Sequence, residues 1–282
     1  MSLRLKRALP LLLDKFNRKI DYLRISVTDR CNHRCIYCMP EASFTYKSRR
    51  NILSYEQIES IVRVAARLGI TKVRLTGGEP LFRKEIEQLV ANLAGIEGIA
   101  EVCMTTNGSL LCDLATKLKR SGLGRVNISI DSLEPERYYR ITGGGDLREV
   151  LAGVEAAVKA ELTPIKINMV ILDDTTKQEI ETMKAFCEQR HLELQKIMQF
   201  SLYDRAALSP PRAEFLTERP PECSYCNRLR LTADGYFKPC LFSDDEIKVD
   251  FRDICGSILE AVAKKPVNGS SCRNRPMSQI GG

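Results

Sequence analysis

The sequence has no tryptophan, few aromatic residues and no long hydrophobic run. Aromatic side chains make up 6% of the 282 residues, and no apolar stretch approaches the ~20 residues that a membrane helix needs. The 43 Lys and Arg residues exceed the 36 Asp and Glu residues and give a net charge of +7, but they are not concentrated in runs. These absences argue against a membrane protein and against a nucleic-acid-binding module. The mild positive charge suits anionic small molecules.

Cysteine is the unusual part of the composition, with 11 residues. An odd number of cysteines in a chain of this length does not fit a small secreted disulfide scaffold. The basic and apolar N-terminal stretch MSLRLKRALPLLLD lacks a small-residue cleavage site and is followed at once by Lys15. We therefore expect a cytoplasmic protein that keeps its thiols reduced and uses some of them.

Strand-like and helix-like segments alternate between about residues 21 and 200. A capping box at Ser54–Gln57 predicts the start of one helix, and apolar residues at helical spacing follow it. The alternation predicts a parallel sheet covered by helices, either an open doubly wound sheet or a partial barrel, with the chemistry at the carboxyl ends of the strands. The strand candidates are Tyr22–Thr28, Lys72–Thr76, Glu101–Thr106, Arg125–Ile130, Pro164–Leu172 and His191–Met198.

The alternation stops after Phe200, which divides the chain into segments 1–200 and 201–282. Residues 201–223 are rich in proline and charge and indicate a linker or extended crossover. A hairpin is predicted from Leu229–Thr232 to Tyr236–Leu241, with its turn at Asp234-Gly235. One helix is expected near Asp253–Lys265.

The first cysteine group is Cys31, Cys35 and Cys38, a C-x3-C-x2-C pattern just after the first strand. Three thiolates on one loop favour an iron–sulfur cluster or zinc. The alternative is a structural zinc site with a remote fourth ligand. The position at the carboxyl end of a strand, where active sites lie, favours the iron–sulfur cluster.

The second group, Cys223, Cys226 and Cys240, spans the predicted hairpin. Taken alone, it fits zinc with Cys255 or Cys272 as a fourth ligand equally well. The remaining cysteines, Cys103, Cys112 and Cys187, lie on strand or helix patterns and are expected to be small core residues. The two histidines, His33 and His191, match no motif and are expected to be structural or solvated.

The first cysteine group, with Tyr37 before its last cysteine, resembles the radical S-adenosylmethionine (SAM) superfamily. The second strand ends in Gly77-Gly78-Glu79-Pro80, which matches the GGEP motif of that superfamily. The resemblance implies that three cysteines hold a [4Fe–4S] cluster whose fourth iron stays open for SAM. Glycine in the motif permits a close approach of the backbone to the SAM amino group.

Further stretches resemble the GTP 3′,8-cyclase family of molybdenum cofactor biosynthesis, among them Thr105-Thr106-Asn107-Gly108, the Cys226–Gly235 segment and the terminal Gly281-Gly282. That resemblance implies an α/β fold, a partial (βα)6 TIM-like barrel whose open side is closed by a C-terminal cluster-binding segment. It implies conversion of GTP to (8S)-3′,8-cyclo-7,8-dihydroguanosine 5′-triphosphate through a 5′-deoxyadenosyl radical.

The same resemblance assigns residues. Cys223, Cys226 and Cys240 would hold a second [4Fe–4S] cluster that binds guanine, in place of zinc. Arg228, Arg230, Gly281 and Gly282 would assist catalysis. The SAM contacts would be Tyr37, Gly78, Ser129 and Phe200. The GTP contacts would be Arg24, Lys72, Arg74, Thr105, Lys166, Arg228, Leu229 and Arg230.

The charged residues also carry information without the family. Arg24, Arg74 and Lys166 lie in strand patterns, and a charge in a buried strand is costly unless it is paired, which favours a functional role. Arg228 and Arg230 could equally be the solvated face of a hairpin.

The expected partners are GTP, a flavodoxin- or ferredoxin-type electron donor and a downstream cyclic pyranopterin monophosphate synthase, with a homodimer as an option. Two features depart from the family pattern. The stretch between Phe200 and Cys223 is short, and Gln195 stands where the family usually has arginine, so that one phosphate contact is either lost or supplied by Lys196. The rival interpretations are a radical SAM enzyme acting on a peptide or tetrapyrrole, and a zinc-stabilised binding module.

Overall fold

The structure is a computed structural model that describes residues 11–38, 46–200, 202 and 223–280. Within these residues, nine strands form one sheet in the order β6-β5-β4-β3-β2-β1-β7-β8-β9. The strands are β1 (Tyr22–Ser26), β2 (Lys72–Thr76), β3 (Glu101–Thr106), β4 (Arg125–Ser129), β5 (Lys166–Ile171), β6 (Glu193–Met198), β7 (Arg228–Leu231), β8 (Tyr236–Lys238) and β9 (Ile247–Lys248). All six predicted strands between residues 21 and 200 are confirmed, with bounds that move by two residues at most.

Strands β1 to β6 run parallel, and β7 adds to the other edge of β1, also in parallel. The register places Arg24 of β1 between Arg74 of β2 and Arg230 of β7. The sheet then continues through the antiparallel strands β8 and β9. The strands on either side of residue 200 therefore belong to one sheet, and the division into two domains there stays a prediction.

Eight α-helices in the described ranges connect and cover the strands. Helix α1 begins with the predicted capping box, in which Ser54 and Gln57 each accept a backbone N–H from the other. The helices are α1 (Tyr55–Arg67), α2 (Ile86–Ala94), α3 (Leu111–Arg120), α4 (Pro135–Thr142), α5 (Leu147–Lys159), α6 (Lys177–Gln189), α7 (Ile254–Ala263) and α8 (Met277–Ile280). No helix in the described part of the chain is long and apolar enough to cross a membrane.

The two faces of the sheet differ in chemistry because strand side chains alternate. Leu23, Ile25 and Val73 are fully buried in the main hydrophobic core with the helices. Arg24 and Arg74, one residue away in each strand, line a cavity on the opposite face. The sheet thus puts a charged surface inside the partial barrel and an apolar surface against the helices.

Four details differ from the sequence analysis. The predicted hairpin is present, but its first strand begins and ends one residue earlier, at Arg228–Leu231, and its second strand is shorter, Tyr236–Lys238. Helix α4 was not predicted. His191 lies in a turn before β6. Cys112 was expected in the core and is exposed, because Leu111, Ala115 and Leu118 form the buried face of α3.

Candidate active site

The first cysteine loop follows β1 and is supported by the last turn of α4. The backbone N–H of Arg34 donates to the Thr142 carbonyl at 2.7 Å, and that of Ile36 donates to the Ile141 carbonyl at 3.0 Å. A turn closes between Cys38 N and Cys35 O at 3.0 Å. The loop positions its three cysteines, Cys31, Cys35 and Cys38, on the wall of one cavity.

The three cysteines of this loop are half-buried, and the partial loss of water around their thiols changes their acidity. It raises the pKa of Cys31 to about 11 and that of Cys38 to about 12. Burial, with Asp131 nearby, raises the pKa of Cys35 well above its usual value. The metal-free thiols are therefore protonated near neutral pH, and a metal centre formed here must release their protons.

The glycines of the GGEP motif pack directly on the segment that leads into the cysteine loop. A Cβ on Gly77 would lie 2.4 Å from the Thr28 carbonyl oxygen, and one on Gly78 would lie 2.2 Å from the Arg30 carbonyl oxygen. The Gly78 N–H donates to Thr28 O at 2.8 Å. Only glycine fits at either position, so the end of β2 and the approach to Cys31 are fixed as one unit.

Glu79, the acidic residue of the motif, is a buried carboxylate with three donors. It accepts the backbone N–H of Leu81 at 2.9 Å, the Thr106 hydroxyl at 2.7 Å and the backbone N–H of Asn107 at 2.7 Å. Burial still raises its pKa to about 7, against the effect of these hydrogen bonds. Glu79 ties the carboxyl end of β2 to that of β3, which forms one rim of the cavity.

Tyr37 connects the cysteine loop to the opposite rim. Its hydroxyl donates to Oδ2 of Asp131 at 2.6 Å, and Oδ1 of Asp131 accepts the backbone N–H of Val170 at 2.8 Å. Burial raises the pKa of Asp131 to about 6. One carboxylate after β4 therefore joins the cysteine loop to β5.

A row of arginines lies deeper in the same cavity. The strand register puts Arg74, Arg24 and Arg230 at neighbouring positions, and all three line the cavity with Arg228. Like charges on adjacent strands destabilise a sheet unless an opposite charge lies between them. The row is an arrangement suited to a polyanionic ligand, since guanidinium groups match phosphate oxygens in geometry as well as charge.

Among the described residues, the hydrogen-bond partners that hold Arg74 in this row are neutral groups. Its guanidinium donates to the Tyr22 hydroxyl at 2.6 Å, to Oδ1 of Asn127 at 2.8 Å and to the Thr105 hydroxyl at 3.1 Å. A further bond goes to the carbonyl of Met104 at 3.0 Å. The charge of Arg74 thus stays available to a ligand.

The acidity of the other arginines reflects their crowding. Burial, with repulsion from Arg74 and Arg228, lowers the pKa of Arg24 to about 10. Burial, with repulsion from Arg24 and Arg228, lowers the pKa of Arg230 well below its usual value. A bound anion would relieve this repulsion.

Three residues assigned to GTP do not line the cavity. Lys72 forms an ion pair with Glu101 at 2.7 Å, and Lys166 is paired with Glu193. These pairs lie at the amino ends of the strands, below the arginine row. The side chain of Leu229 is buried in the main core, because it alternates with those of Arg228 and Arg230 along β7.

Other assigned residues do come together. The cavity is lined by Tyr37, Gly78, Ser129 and Phe200, which were assigned to SAM, and by Thr105, assigned to GTP. The sequence analysis missed Asn127 and Asn168, which also line the cavity and are hydrogen-bonded to each other at 3.1 Å. It expected His33 to be structural or solvated; this side chain is 4% exposed and lies on the cavity wall.

The second cysteine group lies beside the arginine end of the cavity. Cys223 begins a short 3₁₀ turn, Cys223–Tyr225, and accepts the backbone N–H of Cys226 at 3.2 Å. Cys226 comes two residues before β7, and Cys240 two residues after β8. Nothing among the described residues arranges three His, Cys, Asp or Glu side chains around a single metal ion. The same holds for the first cysteine group, so the zinc interpretation, with Cys255 or Cys272 as fourth ligand, stays a prediction.

Arg18, which the sequence analysis missed, anchors the second cysteine group from the N-terminal side. Its guanidinium donates to the carbonyl of Cys223 at 2.8 Å and to that of Pro266 at 2.7 Å. The Nε of Arg18 donates to the Asp14 carboxylate at 2.6 Å, and both side chains are buried. Residues before β1 therefore help to position Cys223.

Comparison with known proteins decides the family. A model of the radical SAM superfamily matches residues 25–187, more than half of the chain. A GTP 3′,8-cyclase of Petrotoga mobilis is 39% identical over 325 residues, covering 96% of this chain and 100% of that protein. One of Alkaliphilus metalliredigens is 39% identical, covering 95% of this chain and 99% of that protein. The chain belongs to the GTP 3′,8-cyclase family of radical SAM enzymes.

Solved structures agree on the fold. Streptococcus suis SuiB bound to S-adenosylmethionine has a TM-score of 0.67 at 15% identity, covering 90% of this chain and 68% of that chain. The enzyme anSMEcpe with bound AdoMet has a TM-score of 0.63 at 15% identity, covering 88% and 81%. The predicted α/β partial barrel of the radical SAM type is confirmed.

Membership of the GTP 3′,8-cyclase family makes the chain a radical SAM enzyme of molybdenum cofactor biosynthesis, with SAM and a [4Fe–4S] cluster as its cofactors. The alignment with the Petrotoga mobilis protein spans 325 residues, more than the 282 of this chain, so that relative has residues that this chain lacks. The short stretch before Cys223 leads one to expect such a difference. Most of that stretch, and the predicted catalytic pair Gly281 and Gly282, lie outside the described residues.

Proposed function

We propose that this chain converts GTP to (8S)-3′,8-cyclo-7,8-dihydroguanosine 5′-triphosphate in the cavity of the partial barrel. The observation that carries the proposal is the layout of that cavity. Three cysteines, Cys31, Cys35 and Cys38, line it at the carboxyl ends of the strands, and the arginine row of Arg74, Arg24 and Arg230 lines it deeper inside. One cavity therefore offers thiolate ligands to a cluster and guanidinium groups to a triphosphate.

The first cysteine loop fits a [4Fe–4S] cluster. It offers three thiols on one wall, with glycine backbone at the adjacent strand end and no fourth cysteine on the loop. We propose that Cys31, Cys35 and Cys38 hold the cluster and that Tyr37, Gly78, Ser129 and Phe200 contact SAM. When bound, the reduced cluster and SAM supply the 5′-deoxyadenosyl radical that removes the 3′ hydrogen of GTP. The chain's part is to orient the reactants and exclude side reactions.

The triphosphate is assigned to the arginine row. We propose that Arg24, Arg74, Arg228 and Arg230 bind its oxygens, with the hydroxyl of Thr105 beside them. Lys72 is paired with Glu101, and Lys166 is paired with Glu193. Each lysine can therefore bind phosphate only after it leaves its carboxylate partner. Leu229 can contribute only through its backbone, because its side chain is in the core. Gln195, buried on β6, supplies no charge at the position where the family usually has arginine.

We propose that the second cysteine group lies at the end of the cavity that binds the guanine of GTP. Cys226 and Cys240 flank the β7–β8 hairpin, close enough to Arg230 for their charges to interact. The set Cys223, Cys226 and Cys240 again offers three thiolates, which leaves one iron of a second [4Fe–4S] cluster open to guanine. Arg228 and Arg230 then lie between cluster and phosphates, and Gly281 and Gly282 are proposed to complete the catalytic set.

The electron for SAM cleavage is proposed to come from a flavodoxin- or ferredoxin-type protein in the cytoplasm. The product is proposed to pass to a cyclic pyranopterin monophosphate synthase. A homodimer is compatible with the proposal but is not required by it.

The test is GTP-dependent SAM cleavage by anaerobically reconstituted protein. We expect 5′-deoxyadenosine formation to rise well above the no-GTP control and to be accompanied by a cyclised nucleotide. A peptide- or tetrapyrrole-modifying enzyme would give no rise with GTP, and that result would overturn the proposed substrate. Omission of SAM and replacement of GTP by ATP are the matched controls.

A further inference from the structure

Lys265 places a buried ammonium group against the second cysteine site. It follows α7, and the residue is 1% exposed. Its Nζ donates to the carbonyl of Arg228 at 2.7 Å and to the carbonyl of Pro239 at 2.9 Å, and it contacts the Cys226 sulfur at 3.7 Å. One cation thus touches both arms of the hairpin that carries Cys226 and Cys240.

The three hydrogen-bond acceptors around the Lys265 ammonium differ from those of an ordinary ion pair. Two are backbone carbonyls and the third is a thiol, so its contacts in the described part of the chain include no carboxylate. Burying an ammonium group is costly unless a negative charge compensates it. Of these three acceptors, the Cys226 thiol is the one that can become an anion. The compensating charge expected here is therefore the one that cysteine thiolates bring to a metal centre.

Lys265 also has a neighbour that holds the same region from the other side. Arg18 donates to the carbonyls of Cys223, Pro266 and Val267 at 2.8, 2.7 and 3.2 Å. The chain directly after Lys265 is thereby fixed to the loop of Cys223. Together the two cations hold the three cysteine-bearing segments in one place.

We propose that Lys265 is a positioning residue of the second cluster, which keeps Cys226 and the end of β8 in place and offsets the negative charge of the thiolate-bound cluster. The inference rests on the second cluster named under the proposed function. A cation beside a cluster stabilises its reduced, more negative form, and hydrogen bonds to cluster sulfurs tune the potential in the same direction. Lys265 therefore raises the midpoint potential of the second cluster.

The test compares Lys265→Gln with Lys264→Gln in the reconstituted full-length chain. Glutamine keeps N–H donors for the two carbonyls but removes the charge, so it separates electrostatics from simple tethering. Lys264 is the matched control, since it is adjacent, half exposed and paired with Glu260 at 2.8 Å. The readouts are iron per chain and the midpoint potential of the second cluster by EPR titration. A Cys31→Ala/Cys35→Ala/Cys38→Ala background, without the first cluster's ligands, assigns the signal.

We expect Lys265→Gln to shift the second cluster to a more negative midpoint potential, or to lose that cluster while the first is retained, and Lys264→Gln to match the wild type. An unchanged potential with full iron in Lys265→Gln overturns the inference and leaves the proposed function intact. Absence of a second cluster in the wild type overturns the proposed second cluster and the inference with it.

A measurement on the wild-type chain tests the same contact without requiring that a variant folds. Protein labelled with ¹⁵N-lysine is reconstituted, and pulsed EPR is recorded on the reduced second cluster. The contact between Lys265 Nζ and the Cys226 sulfur at 3.7 Å predicts a ¹⁵N hyperfine coupling. Absence of that coupling contradicts the inference.

Discussion

The guanidinium of Arg74 and the hydroxyl of Tyr22 are hydrogen-bonded inside the partial barrel, with 2.6 Å between Nε and the phenolic oxygen. Tyr22 lies on β1 and Arg74 on the adjacent β2. Burial alone would raise the pKa of Tyr22, but the charges of Arg24, Arg74 and Arg228 outweigh it and lower that pKa. The Tyr22 hydroxyl therefore supports the arginine row through its hydrogen bond with Arg74.

The first prediction concerns this row. Arg74→Met removes a charge aimed at the triphosphate, and a charge-assisted contact is worth about 1.5–3 kcal/mol, so GTP affinity should fall about 10- to 100-fold. Tyr22→Phe removes only the support and should cost about 5-fold, from about 1 kcal/mol for one neutral hydrogen bond. Titration calorimetry with GTP measures both.

The control for these variants is Arg63→Met, on the outer face of α1, where Arg63 is half exposed and paired with Glu59. Its GTP affinity should equal that of the wild type. Equal GTP affinity in Arg74→Met and the wild type would remove the arginine row from the binding site.

The second prediction is an iron count. Two [4Fe–4S] clusters hold about eight irons per chain, and Cys226→Ala should lower this to about four while the first cluster remains. Cys255→Ala is the matched control, because Cys255 lies near the second group in sequence but has no assigned role. Iron analysis of reconstituted protein checks both variants, and about four irons in the wild type would contradict the assignment of Cys223, Cys226 and Cys240.

The third prediction concerns the support of the first cluster. Asp131→Ala leaves the half-buried Tyr37 hydroxyl and the Val170 N–H without their acceptor, at about 1 kcal/mol for each lost hydrogen bond. The cysteine loop should then lose iron to a chelator several-fold faster than in the wild type, as followed by the visible absorbance. Asp113→Ala, on the exposed face of α3, is the control and should not change the rate. An unchanged rate in Asp131→Ala would show that this bridge does not hold the loop.

The fourth prediction is a pH dependence of stability at the Asp14–Arg18 pair. The pKa of Asp14 is lowered in the folded chain, because hydrogen bonds from Arg18 and Phe16 outweigh the effect of burial. A carboxyl group with a lowered pKa stabilises the fold above its unfolded pKa, and this stabilisation is lost as the pH falls through the folded pKa.

Asp14→Asn leaves a buried guanidinium without its anion and should lower the free energy of unfolding by about 3 kcal/mol near neutral pH. The deficit should begin to shrink below about pH 4, where Asp14 of the unfolded chain takes up a proton, and should disappear once the pH falls through the lower pKa of the folded chain. Urea unfolding of the metal-free chain at several pH values measures it. A deficit that stays constant down to about pH 3 would mean that the ion pair is not its source.

The parts of this molecule that could be predicted from sequence are those with local signals. Runs of β-branched residues gave the strands within two residues, and Ser54 with Gln57 gave the start of α1. The positions of two further side chains could also be predicted from local pattern. The period-2 alternation of β7 puts Leu229 opposite Arg228 and Arg230, and the period of α3 puts Cys112 outside the face of Leu111 and Ala115.

The contacts that hold the second cysteine group in place have no local signal in the sequence. Arg18 and Lys265 donate to backbone carbonyls, which every residue possesses, and Arg18 is 205 residues away from Cys223. The pairing of Lys72 with Glu101 likewise depends on which strands become neighbours in the sheet. Contacts of this kind follow from tertiary structure and could not be obtained from spacing.

We expect a radical generated at the first cysteine loop to remove the 3′ hydrogen of GTP bound along the arginine row. The most direct measurement uses GTP deuterated at the 3′ carbon, SAM and anaerobically reconstituted protein, with mass spectrometry of the 5′-deoxyadenosine. We expect deuterium from GTP to appear in 5′-deoxyadenosine and to be lost from the cyclised product. 5′-Deoxyadenosine without deuterium, formed while the GTP is consumed, would contradict it.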